Sequence, residues 1–136
     1  MPSVAAIQEL LTPLFPGLLG MQLREAGAER VVATMQVQPR LCTTGDSLHG
    51  GALMAFADTL GAIGTVVNMP QGHGTATIES KTNFVGGAAE GSVITGECTP
   101  VHKGRTTQVW ETRITNADGK LVALVTQTQI VLPPRS

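Results

Sequence analysis

The sequence predicts an α+β fold in which an antiparallel sheet is wrapped around one long central helix. Residues 52–67 form a helix-length stretch that is almost wholly apolar. A helix that is apolar on all its faces must be buried on nearly every side, and a curled sheet can surround it in this way. Four runs rich in Val, Ile and Thr follow it and supply strands, over residues 75–85, 92–101, 106–115 and 121–132.

The elements before the central helix are shorter. Residues 4–11 have the pattern of an amphipathic helix, with Ser3 as its N-cap and Pro13 as its stop. We expect the other elements in this order: a turn region at residues 17–20, a strand over residues 31–37, a polar loop over residues 40–48 and the long helix over residues 50–68. The antiparallel sheet would then contain five or six strands.

Glycines mark the connections between the four later strands. Asp118-Gly119 between two strand-like runs is typical of a tight hairpin turn, and the short break at Lys103-Gly104 favours a second hairpin. A glycine pair at residues 86–87 separates the first run from the second. The pattern predicts four strands in antiparallel succession.

Composition and charge exclude several classes of protein. The net charge of −1 does not supply the concentrated basic face that binds nucleic acid. Cys42 and Cys98 belong to no disulfide framework or metal-ligand spacing, which favours a cytoplasmic protein without a metal site. No signal peptide is evident, and Asp58 at the centre of the apolar stretch argues against a membrane span. We expect one domain over residues 1–136, with residues 1–14 as an N-terminal helical extension.

Asp58 is also the first candidate for chemistry. An ionised carboxylate in apolar surroundings costs free energy unless it is compensated or used. His49-Gly50-Gly51 stands directly before the apolar helix, where bare backbone N–H groups and partial positive charge collect. Such a helix start can polarise a carbonyl group, and a carboxylate or its bound water can attack it. The alternative is a structural carboxylate that caps a neighbouring element or pairs with a buried base.

The spacing of His49 and Asp58 bears on how they could cooperate. They are nine residues apart, which on one helix is roughly 13 Å of rise with the side chains on opposite faces. They therefore cannot both reach one carbonyl group within one chain. The spacing predicts a two-fold homodimer with antiparallel helices and two composite sites, and we expect such dimers to pair into a homotetramer.

The stretch Leu-His-Gly-Gly-Ala-Leu over residues 48–53, followed after four residues by Asp58, resembles the signature of hotdog-fold acyl-CoA thioesterases. This is the superfamily of 4-hydroxybenzoyl-CoA and phenylacetyl-CoA thioesterases. The likeness continues through residues 102–107, Trp110 and residues 118–123. It implies a hotdog fold that hydrolyses an acyl-CoA thioester to a free carboxylic acid and CoA, with no cofactor beyond the CoA of the substrate.

The resemblance also implies roles for four catalytic residues. The N–H of Gly50 would polarise the thioester carbonyl, and His49 would orient the substrate or the helix start. Asp58 of the partner chain would be the nucleophile or the general base. In some relatives a hydroxyl on the strand after the helix holds the attacking water, and Thr77 falls near that place.

A second implied group would contact the CoA part of the substrate. Lys103, Gly104 and Arg105 match a turn that in relatives lies near the CoA phosphates or the pantetheine arm. Plain exposed charges in a hairpin turn are an equal alternative for the two cations.

Four further residues complete the expected substrate-binding set. Gly51 belongs to the helix start itself. Thr43 stands where relatives often have Asn or Gln, and it is a shorter donor. In relatives, Arg-Pro often follows the aromatic residue of the first long β run. Here that aromatic residue is Phe84, and it is followed by Val85 and a glycine pair. These departures bear on the acyl pocket and the CoA contacts more than on the type of reaction.

Two rival functions share the resemblance. One is a hotdog dehydratase or hydratase acting on hydroxyacyl thioesters, a class that places its His and its acid within a motif absent from this sequence. The other is a non-catalytic acyl-CoA-binding protein that keeps the fold without turnover. An assay of thiol release from a panel of acyl-CoA esters separates the three.

Overall fold

The computed structural model describes residues 2–135, and within them three α-helices and eight strands follow one another. The elements are α1 (Val4–Leu11), α2 (Phe15–Leu18), β1 (Gln22–Ala26), β2 (Val31–Gln36), β3 (Cys42–Thr43), β4 (Ser47–Leu48), α3 (Gly50–Asn68), β5 (Gly74–Phe84), β6 (Val93–Lys103), β7 (Thr107–Thr115) and β8 (Leu121–Leu132). A single turn of 3-10 helix, Pro39–Leu41, precedes β3.

Six of the strands form one sheet in which every neighbouring pair runs antiparallel. Their order is β1-β2-β6-β7-β8-β5. The sheet surrounds α3, which contacts all six strands. The predicted fold class, an antiparallel sheet wrapped around a long central helix, is therefore confirmed.

The central helix owes its position to the spacing of its large apolar residues. Leu53, Phe56, Leu60 and Ile63 recur every three or four residues and are buried against the sheet. Each such side chain contributes about 1.5–3 kcal/mol when it leaves water. By length and composition alone α3 could cross a membrane, but this face of it forms the core of the fold.

The opposite face of α3 is less well covered. Met54 is 36% exposed there, and Val66, about 120° further round the helix and beside α1, is 44% exposed. The strand beside this helix, β5, lies at the edge of the sheet and pairs only with β8. Its outer backbone groups therefore have no strand partner within residues 2–135, which leaves an edge open to a further strand.

The strand order differs from the predicted antiparallel succession. The hairpins β6–β7 and β7–β8 form as predicted, but β5 pairs with β8 and β6 pairs with β2. Residues 85–92, which join β5 to β6, are too many for a tight hairpin turn. The N–H groups of Val85 and Gly86 both donate to the carbonyl of Val122. These bonds continue the pairing with β8 beyond Phe84. Residues 88–91 then bond to the β3–β4 hairpin and to Val37, which brings the chain to β2 and places β6 on the other side of the sheet.

The N-terminal region contains more structure than the sequence predicts. Helix α1 has the predicted bounds, and Ser3 Oγ accepts from the N–H of Ala6 at 3.1 Å. The predicted turn at residues 17–20 includes the end of α2, and the predicted loop at residues 40–48 contains the β3–β4 hairpin. Helix α2 has only four residues and contains Pro16, and β3 and β4 have two residues each. Elements this short contain too few residues to show a helical or strand period of apolar positions.

Candidate active site

The start of α3 is capped by the side chain that precedes it. His49 is the N-cap, and its Nδ1 accepts a hydrogen bond from the N–H of Gly51 at 2.8 Å. A Cβ atom at position 51 would lie 3.0 Å from the same Nδ1, so glycine gives the cap its room. Because Nδ1 is the acceptor, the neutral imidazole carries its proton on Nε2. The exposed ring of His49 therefore presents an N–H donor beside the helix start.

Gly50, the first residue of α3, has a backbone N–H that finds no acceptor among residues 2–135. This donor lies at the positive end of the helix dipole. A Cβ atom at Gly50 would lie 3.0 Å from Cε1 of Phe84, so the exposed ring of Phe84 packs beside it. A carbonyl oxygen could accept a hydrogen bond from this N–H, with the ring of Phe84 beside it.

Asp58 lies eight residues further along α3 and is half-buried. Its Oδ1 accepts from the hydroxyl of Thr77, and the two oxygen atoms are 2.6 Å apart. Thr77 stands on the exposed edge strand β5. A carboxylate held beside a hydroxyl at an open edge can bind a water molecule and accept its proton.

Two buried glutamines lie directly behind this pair, and the sequence analysis missed both. Gln127 and Gln129 on β8 are 0% and 1% exposed. Nε2 of Gln127 lies 3.2 Å from the backbone oxygen of Asp58 and 3.4 Å from its Oδ1. Oε1 of Gln129 lies 2.6 Å from the hydroxyl oxygen of Thr77. The sequence does contain a signal for them. Inward and outward positions alternate along β8, and the two glutamines occupy inward positions between Val125 and Val131, where apolar residues are expected.

The predicted catalytic residues thus fall into two groups. His49 and Gly50 stand at the start of α3, whereas Asp58 and Thr77 meet about 12 Å further along the helix axis. The structure does not bring the two groups together within one chain.

The predicted substrate-binding residues follow the same division. Phe84 and Val85 are exposed beside the helix start, and exposed Thr43 pairs with Ser47 in the β3–β4 hairpin that leads to it. A cavity of about 340 Å³ adjoins this region. It is lined by His49, Gly51 and mainly apolar neighbours: Phe15, Leu18, Leu19, Arg40, Leu41, Cys42 and Ala52.

The turn predicted to contact CoA lies at the other end of the helix. Lys103 ends β6, where it forms an ion pair with Glu29 and comes within 3.5 Å of Oδ1 of Asn68, the last residue of α3. Arg105 is exposed in the turn that follows. Gly50 lies at the far end of the same helix, about 27 Å away along its axis.

Comparison with known proteins assigns the family. The family model described as thioesterase superfamily matches residues 45–123, which is more than half of the chain. The sequence is 30% identical over 116 residues to 1,4-dihydroxy-2-naphthoyl-CoA hydrolase of Escherichia coli, with 85% of each chain covered.

Solved structures agree with this assignment. A mutant thioesterase from Pseudomonas aeruginosa has a TM-score of 0.92 at 26% identity, over 98% of this chain and 96% of that one. A hypothetical thioesterase from Streptococcus pneumoniae, solved with coenzyme A, has a TM-score of 0.77 at 28% identity, and the match covers 85% of this chain and 88% of that one. The predicted resemblance to hotdog-fold thioesterases is thereby confirmed, and the chain belongs to the thioesterase superfamily as a hotdog-fold thioester hydrolase.

Proposed function

We propose that this enzyme hydrolyses an acyl-CoA thioester to a free carboxylic acid and CoA. The observation that carries the proposal is the hydrogen bond between Thr77 and Asp58, because it presents a carboxylate and a hydroxyl to one water molecule. The similarity to a CoA-ester hydrolase of Escherichia coli and to a thioesterase solved with coenzyme A supports a CoA ester as the substrate.

The active site is composite in this proposal. Gly50 of one chain and Asp58 of another would serve one carbonyl group, because about 12 Å of helix rise separates them within a chain. Met54, which is partly exposed on the same side of α3 as Asp58, and the open edge of β5 offer an apolar contact and a strand edge for the second copy. A two-fold arrangement then contains two equal sites, and such dimers would pair into a homotetramer.

The reaction proceeds with a helix start on one side of the substrate and a carboxylate on the other. The N–H of Gly50 donates to the thioester oxygen and stabilises the negative charge that develops there. Asp58 takes a proton from water held by Thr77, and the resulting hydroxide attacks the carbonyl carbon. When the carbon–sulfur bond breaks, the CoA thiolate recovers that proton. Direct attack by the Asp58 carboxylate, with later hydrolysis of the anhydride, uses the same geometry.

The remaining predicted residues would hold the substrate. Phe84, Val85 and Thr43 stand beside Gly50, where the acyl group and its carbonyl would lie. Lys103 and Arg105 would contact the CoA phosphates from the turn near the end of α3, with Gly104 between them. Lys103 would have to exchange its ion pair with Glu29 for a phosphate, which is a small cost at an exposed site.

The decisive experiment measures thiol release from a panel of aryl, arylacetyl and medium-chain acyl-CoA esters, with free acid identified as the second product. We expect CoA release that depends on enzyme concentration for at least one class. Tight binding of all esters without release would instead identify a binding protein, and reversible hydration of an enoyl-CoA would identify a hydratase.

A further inference from the structure

Behind Asp58 runs a chain of hydrogen bonds whose direction is fixed at its far end. The hydroxyl of Thr75 donates its one proton to the carbonyl of Ile130 at 2.9 Å. It must therefore act as the acceptor toward Gln129, whose Nε2 lies 3.1 Å away. This contact orients the side-chain amide of Gln129, so that its Oε1 faces Thr77 and Gln127.

The same logic orients the next amide. Oε1 of Gln129 accepts from Nε2 of Gln127 at 3.0 Å, so Gln127 presents its NH₂ group on the side where Asp58 lies. From there it reaches both the backbone oxygen and Oδ1 of Asp58. Its own Oε1 is buried and has no hydrogen-bond partner among residues 2–135. An orphaned buried oxygen costs free energy, which indicates that the NH₂ contacts are retained at the expense of stability.

The absence of a side chain at Gly61 on α3 leaves the space that the Gln127 amide occupies. Gly61 lies one helical turn after Asp58, and a Cβ atom there would lie 2.2 Å from Cδ and 2.4 Å from Nε2 of Gln127. No real side chain tolerates such distances, so only glycine lets the amide lie against the helix backbone. The close approach is what brings Nε2 within reach of the backbone oxygen of Asp58.

Thr77 is held from the other side. Its hydroxyl oxygen lies 2.6 Å from Oδ1 of Asp58 and 2.6 Å from Oε1 of Gln129. A hydroxyl has one proton, so Thr77 can donate to Asp58 while the carboxylate is ionised and to Gln129 once the carboxyl group carries a proton. Between Asp58 and Gln129, the Thr77 hydroxyl therefore has an acceptor in both protonation states of the base.

We propose that Gln127 and Gln129 are positioning residues that fix the Asp58 carboxylate and the Thr77 hydroxyl for attack on the thioester. This inference rests on the proposed role of Asp58. Neither amide faces the substrate, because both are fully buried beneath α3. Their effect is transmitted through the orientation of the base and of the water that it activates.

Gln108 provides a matched control. It is also a buried glutamine, it is paired with Gln129 across β7 and β8, and its Oε1 accepts from Nε1 of Trp110 at 3.1 Å. It makes no hydrogen bond to Asp58 or Thr77. Loss of its amide therefore disturbs the same interior without touching the carboxylate.

The experiment compares Gln127→Met, Gln129→Met and Gln108→Met by thermal unfolding and by steady-state kinetics on an acyl-CoA ester that the wild-type enzyme hydrolyses. We expect kcat to fall roughly 10- to 100-fold for the first two variants, with KM within about threefold of wild type, because a misplaced base slows chemistry more than binding. Gln108→Met should keep kcat within about twofold at a comparable loss of melting temperature.

A second route avoids dependence on one substitution. Gly61→Ala displaces the Gln127 amide from the opposite side, and Gly64→Ala, which places a methyl group against Trp110, is its control. We also expect Gln127→Met to change the residual rate of Asp58→Asn by less than about twofold, since a positioning residue has nothing left to position.

Three outcomes would overturn the inference: equal loss of kcat in Gln108→Met, wild-type kcat in folded Gln127→Met and Gly61→Ala, or losses that multiply in the Asp58→Asn background. The proposed function is tested separately in the same series. If wild type releases no CoA, the proposed function itself fails. If wild type releases CoA but Asp58→Asn is as active, the proposed function stands, whereas the role of Asp58 fails and this inference fails with it.

Discussion

The hydroxyl oxygen of Thr77 lies 2.6 Å from Oδ1 of Asp58, although nineteen residues separate the two along the chain. One residue belongs to the buried central helix and the other to the exposed edge strand. Their contact places a carboxylate at the boundary between the core and the solvent. Such a carboxylate can exchange protons with water while the fold holds its orientation.

We predict that Asp58→Asn keeps the fold and lowers kcat at least about 100-fold, because the amide is nearly isosteric but cannot accept a proton. Steady-state kinetics and circular dichroism check this. Asp118→Asn makes the same change in the exposed β7–β8 turn and should be fully active. Normal activity of Asp58→Asn would remove Asp58 from the mechanism.

Thr77 allows a test of the hydroxyl alone. Thr77→Val has the same shape without the hydrogen bond to Asp58, and we expect its kcat to fall roughly 10-fold or more. Thr77→Ser restores the hydroxyl and should recover most of the rate. If both variants are equally impaired, the methyl group and the packing of β5 matter more than the hydroxyl.

The turn after β6 should affect binding more than catalysis. Replacing Lys103 and Arg105 with Ala should raise KM for an acyl-CoA at low salt, with the difference from wild type shrinking as ionic strength rises. An Arg113→Ala, Lys120→Ala variant removes the same charge from exposed positions elsewhere on the surface. Glu29→Gln frees Lys103 from its ion pair and should not raise KM. Identical KM values across the salt series would make both cations ordinary surface charges.

Mixing two inactive variants tests the shared site. Asp58→Asn lacks the base, and Gly50→Pro lacks the N–H at the helix start, where proline fits the backbone. After random exchange about half of the dimers are mixed, and each mixed dimer has one intact site, so about a quarter of wild-type activity should return. Sizing and circular dichroism establish that Gly50→Pro still forms folded dimers. No recovery after demonstrated exchange would contradict a composite site.

Because the thiol of Cys98 is buried, we expect the free energy of unfolding to fall at alkaline pH. Burial in the core raises the pKa of this thiol to about 12. In the unfolded chain the thiol ionises near its ordinary pKa of 9.0. The stabilising contribution is therefore complete below pH 9 and is lost between pH 9 and about 12, at about 1.4 kcal/mol per pH unit.

The measurement is the free energy of unfolding of wild type and Cys98→Ala at several alkaline pH values. The chain contains no tyrosine, so no phenol titrates in this range, and the lysines contribute equally to both proteins. The two curves should converge as pH rises, even though the variant is less stable at neutral pH. Parallel curves would mean that the thiol ionises as readily in the folded protein.

Local patterns in the sequence account for most of the fold. The apolar stretch after His49 predicts α3, and the Asp118-Gly119 turn predicts the β7–β8 hairpin, because both signals involve neighbouring residues. The pairing of β5 with β8 depends on contacts between distant parts of the chain, for which no local pattern exists. The predicted antiparallel succession therefore holds for β6, β7 and β8 and is wrong only for β5.

The site divides in the same way. Asp58 stands out in the sequence because a carboxylate in an apolar helix is unusual, and the proximity of Thr77 was suggested by family resemblance before the structure gave the distance. Gln127 and Gln129 are polar residues at core positions of β8, a conflict visible in the sequence. Their partner could not be inferred, since Asp58 lies 69 residues away from Gln127.

The edge position of β5 imposes an order on the folding of the enzyme. This strand pairs only with β8, the last strand of the sheet in chain order. While the ribosome is still translating β8, a nascent chain already carries Asp58 on α3 but has nothing to hold Thr77 beside it. Pairings between such distant segments form late because closing the intervening loop costs entropy. Under the proposed mechanism, thioester hydrolysis requires the completed sheet, and a fragment that ends before β8 would be inactive even with α3 folded.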